Sequence, residues 1–184
     1  MEYANAAIMI GGKIKRSDVE TLAQAIEEDC ATIDWGLSLT VDEAIAEIED
    51  CAKGKRHLFL CKGEQPWGRF EAIEAVCAEL ELTHCMECEA GGEWSPMLQF
   101  WQPGMPTKKD GEHDVIVPRE WSIAEIGRGP MIDAEDIQRH LDAGTLADEL
   151  ALMTAVHKFP WPIEIVEDEP DLTAVTREIA EGGA

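Results

Sequence analysis

Ala6-Ala7-Ile8-Met9-Ile10-Gly11-Gly12-Lys13-Ile14 and Leu58-Phe59-Leu60-Cys61 are the two stretches on which the fold turns. Each is a compact, mostly apolar run, as expected of a strand buried on both faces. The glycine pair in the first points to a bulge or a close backbone approach. A helix follows each run. Ser17 and Glu20 have capping-box spacing, and Val19, Leu22, Ala23 and Ile26 share one face, which predicts a helix from about Asp18 to Asp29. Past a Pro66-Trp67-Gly68 turn, Phe70, Ile73, Val76, Cys77 and Leu80 form the stripe of another.

An offset of 51 residues places Ile8 on Phe59, Gly12 on Gly63, Val19 on Phe70 and Thr32 on Thr83, strand on strand and helix on helix. With Ala31 to Trp35 and Thr83 to Glu89 as closing strands, the pattern is an α/β (α+β) sandwich whose split β-α-β pseudo-repeat resembles the ferredoxin-like fold. The helix from Val41 to Ala52, with Thr40 and Glu43 as a second capping box and Gly54 as a left-handed cap, is an insertion between the halves. Met97 to Trp101 pairs with Thr83 to Glu89 across a Gly91-Gly92 turn. Residues 1–103 are thus read as the sandwich domain and 104–114, rich in Pro, Lys and Gly, as a linker. Residues 115–184 are read as a mainly helical extension packing on the first part. That extension holds a short strand at Val115 to Val117, helices at Ala134 to Ala143 and Leu146 to Lys158, and a strand at Ile163 to Val166. Asp133 and Thr145 are the expected caps, and a short terminal helix is expected near Ala174 to Ala180.

Thirty-eight acidic residues against 15 basic ones give a formal charge of −23 over 184 residues, while 45% of residues are apolar. The apolar content supports a folded core, so the charge is carried by a structured surface. Residues 17–56 alone hold 11 acids and 3 bases, and the surplus continues along the rest of the chain. Such a surface repels nucleic acid and anionic membrane and favours a basic protein partner, or simply solubility. The candidate contact residues are Glu20, Glu27, Glu43, Glu47, Asp50, Glu71 and Glu74 on helix faces, with Glu87 and Glu89 at the end of a strand. No apolar run is long enough for a membrane span, and the N-terminus lacks a signal-peptide pattern, which predicts a cytoplasmic protein. A homo-oligomer is compatible with this composition.

No cofactor, metal or catalytic residue is assigned. His84-Cys85-Met86-Glu87-Cys88 has half of a zinc motif, but strand alternation sends Cys85 and Cys88 to opposite faces, and packing is the preferred reading. Cys61 ends a strand before a glycine-containing loop, a place that can activate a thiolate. Glu64 in that loop would repel a bound anion, so Cys61 is read as a core residue. Several tryptophans within two residues of Pro or Gly, at 67, 94, 101 and 161, are read as pinning loops to the core. Leu58-Phe59-Leu60-Cys61 and Trp67-Gly68-Arg69-Phe70-Glu71 are similar to stretches in uncharacterised accessory proteins of bacterial mobile elements and phage. That resemblance covers about a third of the chain and brings no activity with it.

In composition the chain resembles phage and plasmid inhibitors of restriction and CRISPR systems, which imitate nucleic acid with ordered carboxylates. The resulting expectation is an acidic interaction module, an accessory or anti-defence (anti-CRISPR or anti-restriction) protein that binds a basic, nucleic-acid-handling protein or complex. The alternative is a small enzyme or ligand-binding protein with a pocket between the two β-α units, where Gly12, Lys13, Cys61 and Gly63 would converge.

Overall fold

The first apolar run becomes β1 (Tyr3–Lys15), the longest strand and the hub of the sheet. In the computed structural model, residues 3–66, 69–89, 96–110, 113–123 and 129–168 are described. On one side β1 pairs antiparallel with β2 (Leu58–Pro66), and on the other with β3 (Thr83–Cys88). The sheet continues antiparallel through β4 (Met97–Trp101), β7 (Arg119–Ile123) and β8 (Pro130–Met131). The far end of β1, from Gly12 to Lys15, pairs parallel with β9 (Ile163–Val166). The architecture is therefore mixed α+β, an open sheet of seven strands with helices on both faces.

Alternation along the strands builds two cores. Ile8, Ile10, Leu58, Leu60 and Met86 face α1 (Val19–Glu28), α2 (Val41–Gly54) and α3 (Glu71–Glu79). Between them, Cys85, Leu98, Phe100 and Trp121 face the other way, toward Met153 and Val156 of α5 (Leu146–Lys158). Helix α4 (Ala134–Ala143) packs beside α5. Both C-terminal helices have the expected bounds. Asp133 caps α4 through the Asp136 N–H at 2.8 Å, and Gly144 ends it at φ +70. Thr145 makes no cap bond; its hydroxyl meets His140 Nδ1 at 2.8 Å.

The glycine pair makes the close approach that its sequence implied. A Cβ on Gly11 would lie 2.0 Å from the Trp161 carbonyl oxygen, while Gly12 sits at φ +124 and donates its N–H to Pro162 at 2.9 Å. That junction is what seats β9 against β1.

Several expectations change. Ala31 to Trp35 is not a strand: only Thr32 bridges to Cys61, because Cys30 and Trp35 both take positive φ and turn the chain at either end. The Ser17 capping box does not form. A 3-10 turn (Arg16–Asp18) precedes α1, and the Ser17 hydroxyl and N–H bind the Asp168 carboxylate at 2.6 and 3.1 Å. The Thr40 box does form, with the Glu43 N–H on Thr40 Oγ1 at 3.4 Å and the Thr40 N–H on Glu43 at 2.9 Å. Gly54 ends α2, but Lys55 supplies the left-handed cap at φ +53. The segment expected as a linker carries β5 (Thr107–Asp110), hairpin-paired with β6 (His113–Ile116). The strand expected at Val115 to Val117 is β6, one residue or two earlier, while β5, Thr-Lys-Lys-Asp, is held by its backbone ladder and leaves no apolar period to read. The chain after residue 115 likewise supplies three strands to the main sheet besides its helices. The Gly91-Gly92 turn, Trp67, Trp94 and the terminal helix near Ala174 lie outside the described residues.

Candidate interaction face

Helices α1, α2 and α3 pack side by side on one face of the sheet, with α1 touching both neighbours. Their apolar stripes point inward, so their polar residues form the outer layer. The three helices hold eleven carboxylates and one base, Lys53. Ten of the carboxylates are exposed or half-buried. Packing on a common core fixes their spacing, as a flexible acidic tail would not.

The sequence-derived residues divide. Glu20, Glu43, Asp50 and Glu71 are exposed on this layer. Glu27 joins them and accepts the Val41 N–H at 3.2 Å, tying α1 to the start of α2. The hydrogen bonds from Thr40 hold the Glu43 carboxyl below the usual carboxylate range. Half-buried Glu47 accepts the Cys51 thiol at 3.3 Å, and burial together with that carboxylate pushes Cys51 up to about 11. Asp50 pairs with Arg56 at 2.6 Å.

Glu74 takes no part in the surface. It is 3% exposed, takes Arg69 Nε–H at 2.9 Å and accepts the Phe70 N–H at 3.2 Å, closing the first turn of α3 from inside. Glu87 shares the β3 face of Cys85, away from the helices, and Glu89 follows β3 and accepts from Asn5 at 2.9 Å. These two therefore lie apart from the helical layer.

The strand cysteines are placed as alternation requires. Cys85 and Cys88 are both buried, and burial pushes the Cys85 thiol up to about 12. Burial, with Arg69 nearby, drives His84 down to about 3, and its ring stacks on Trp101 across the β3–β4 pair. Among the described residues no group of three His, Cys, Asp or Glu side chains is arranged to hold a metal ion.

Cys61 is fully buried. Its sulfur accepts the Trp35 N–H at 3.1 Å and lies 3.2 Å from the Thr32 hydroxyl. Gly12 and Cys61 do not converge as a pocket between the β-α halves would require, because β1 and β2 run antiparallel with Ala7 opposite Cys61. Gly12 is five residues further along β1, about 17 Å from that pair at strand rise.

Other concavities are present among the described residues. A groove of about 410 Å³ between α2 and β9 is lined by Arg16, Glu49, Lys53, Lys55 and Glu164. Within it Arg16 and Lys53 both pair with Glu49. A smaller cavity of about 170 Å³ lies between β7 and the C-terminal helices. There the buried Glu149 accepts Trp121 Nε1–H at 2.8 Å and an Arg119 N–H at 3.1 Å. Glu149 thus fastens β7 to α5, a structural task that absorbs the carboxylate.

Sequence reasoning passed over the loop between α1 and α2. There Ile33, Trp35 and Leu37 are 40%, 51% and 93% exposed. Its sequence signal is Asp34-Trp35-Gly36, an Asp-x-Gly turn that overlaps the end of the strand expected at Ala31 to Trp35. Trp101 and Trp161, by contrast, do pack on the core, Trp161 against Phe100 and Phe159.

Comparison with protein-family models, curated proteins and solved structures finds no match to this chain. No described helix is long and apolar enough to cross a membrane.

Proposed function

We propose that this chain is an acidic interaction module that docks the α1-α2-α3 face onto a basic surface of another protein, one that itself handles nucleic acid. The observation that carries the reading is the composition of that layer: ten exposed or half-buried carboxylates and a single lysine on three helices locked to one core. Carboxylates fixed in register meet a basic groove without the ordering cost of a flexible acidic chain. A nucleic-acid-binding surface is the basic protein surface best matched to such an array, since it is built to hold regularly spaced negative charge. On this reading the module is an accessory protein of a mobile element or phage, acting as an anti-restriction or anti-CRISPR inhibitor by occupying its target's nucleic-acid site.

The finer fold proposal is a ferredoxin-like split β-α-β core with α2 inserted. It is supported by the antiparallel order β3-β1-β2, by α1 and α3 on one face, and by the Thr32 bridge on the outer edge of β2.

Affinity capture from a bacterial lysate at low and at high salt tests the functional reading. A basic protein retained at low salt and released at high salt is expected, because exposed charge pairs are screened as ionic strength rises. Retention of no basic protein at low salt would overturn it.

A further inference from the structure

We infer that the Ile33–Leu37 loop is the apolar anchor of this surface, and that it takes a protein segment whose apolar side chains are flanked by lysine or arginine. The inference rests on the docking role proposed for the helical face and adds the chemistry of the partner's contact.

Ile33, Trp35 and Leu37 are every second residue of one short loop, and all three are exposed, Leu37 at 93%. A scattered exposed leucine is ordinary, but a tryptophan and two branched aliphatics exposed within five residues concentrate apolar surface on one loop. The loop is held in shape. The Trp35 N–H is bound to Cys61 Sγ at 3.1 Å, and Thr32 is bridged to Cys61. The Gly36 N–H closes a turn on Asp34 at 3.2 Å, and Ser38 and Leu39 bond back to Cys30 and Ala31 at 3.3 and 3.0 Å. Trp35 itself sits at φ +63, a left-handed backbone that non-glycine residues adopt only when their surroundings impose it. The backbone that carries its ring is therefore ordered before any partner arrives, and tryptophans on ordered backbone are typical energetic centres of interfaces.

The charge around the loop selects the occupant. No Lys, Arg or His occurs between Arg16 and Lys53. The loop is entered past Glu27 and Glu28, contains Asp34, and leads into Asp42 and Glu43, all exposed. A partner that covers Trp35 and Leu37 also crowds these carboxylates. A neutral rim would dehydrate them without compensation, and an acidic rim would repel them. A basic rim satisfies both demands. The same reasoning disfavours a second copy of this chain, because two such loops packed together would face five carboxylates with five.

Binding of two labelled synthetic peptides to the full chain at low salt, read by fluorescence anisotropy, tests this. One peptide has a Leu/Phe centre between Lys/Arg flanks; the other has a Ser/Gly centre between the same flanks. The apolar-centred peptide is expected to bind about tenfold tighter or better. Leu37→Ser and Trp35→Ala are expected to erase that preference while leaving the Ser/Gly peptide unaffected. Leu37 is so exposed that Leu37→Ser keeps the fold, which an unchanged urea midpoint verifies. Equal binding of the two peptides, or a preference that survives Leu37→Ser, would overturn the inference. So would self-association of the free chain that Leu37→Ser abolishes, since the loop's occupant would then be a second copy. Failure of the acidic-face reading is distinguishable, because it would appear as no salt-sensitive binding of either peptide.

Discussion

Lys62 and Asp29 form an ion pair at 3.1 Å with side chains 10% and 8% exposed, and its disruption gives a sharp test of the core packing. Asp29 ends α1 and also accepts the Ile73 N–H of α3 at 2.9 Å; Lys62 lies on β2 and also donates to the Arg69 carbonyl at 3.4 Å. The pair therefore joins two helices and the edge strand that supports the Thr32 bridge. Lys62→Met leaves a buried carboxylate without its countercharge, at a cost of about 3–5 kcal/mol. For a chain of this length that corresponds to a loss of roughly 6–20 °C in Tm. Adding Asp29→Asn removes the stranded charge while retaining an acceptor for the Ile73 N–H. The double variant should recover about 1–3 kcal/mol of the loss. Urea unfolding followed by tryptophan fluorescence measures both values. A Lys62→Met cost below about 1 kcal/mol, as for a surface pair, would refute the reasoning, and so would strict additivity in the double variant.

Three further outcomes are expected. Gly11→Ala forces the β1 and Trp161 backbones apart and should cost about 1–3 kcal/mol in chemical denaturation, because overpacking displaces main chain here. His84 stays neutral in the fold down to about pH 3, whereas an unfolded histidine takes up its proton near pH 6.5. The unfolded state then binds more protons between those values, so stability falls on acidification; from about pH 7.5 to about pH 5 the native chain should lose about 2 kcal/mol more than His84→Phe. Of the six cysteines, all unbridged, only Cys30 is exposed. A chromogenic disulfide reagent should find one fast thiol in the folded chain, none in Cys30→Ser and six after denaturation, and a second fast thiol in the native chain would contradict the burial described.

What could be read from sequence was what is local. The α2 capping box, the Asp133 cap with Gly144, and the bounds of α4, α5 and β9 follow from signals only a few residues apart, and all of them formed. What failed depended on distant partners. Ser17 had the right spacing for a cap but is held by Asp168, which is 151 residues away in sequence. Strands β7 and β8 are too short and too polar on one face to announce that they extend the sheet from β4. Glu74 looked like surface charge, and only the approach of Arg69 and the Phe70 N–H explains its burial. For the interaction face, the charge was legible at once and its exposed anchor was not. Ile33 and Trp35 alternate as a strand would, and the left-handed turns at Cys30 and Trp35 that expel them leave no mark in hydrophobic pattern.

The most direct test of the acidic face is the salt dependence of binding to the lysine- and arginine-flanked Ser/Gly peptide, measured on the native chain and on a variant carrying Glu20→Gln, Glu28→Gln, Glu71→Gln and Glu79→Gln. These four carboxylates are exposed on α1 and α3. The account predicts that native affinity falls steeply as salt rises, and that the variant binds more weakly at low salt with a shallower slope. Equal affinity and equal slope for the two proteins would contradict it.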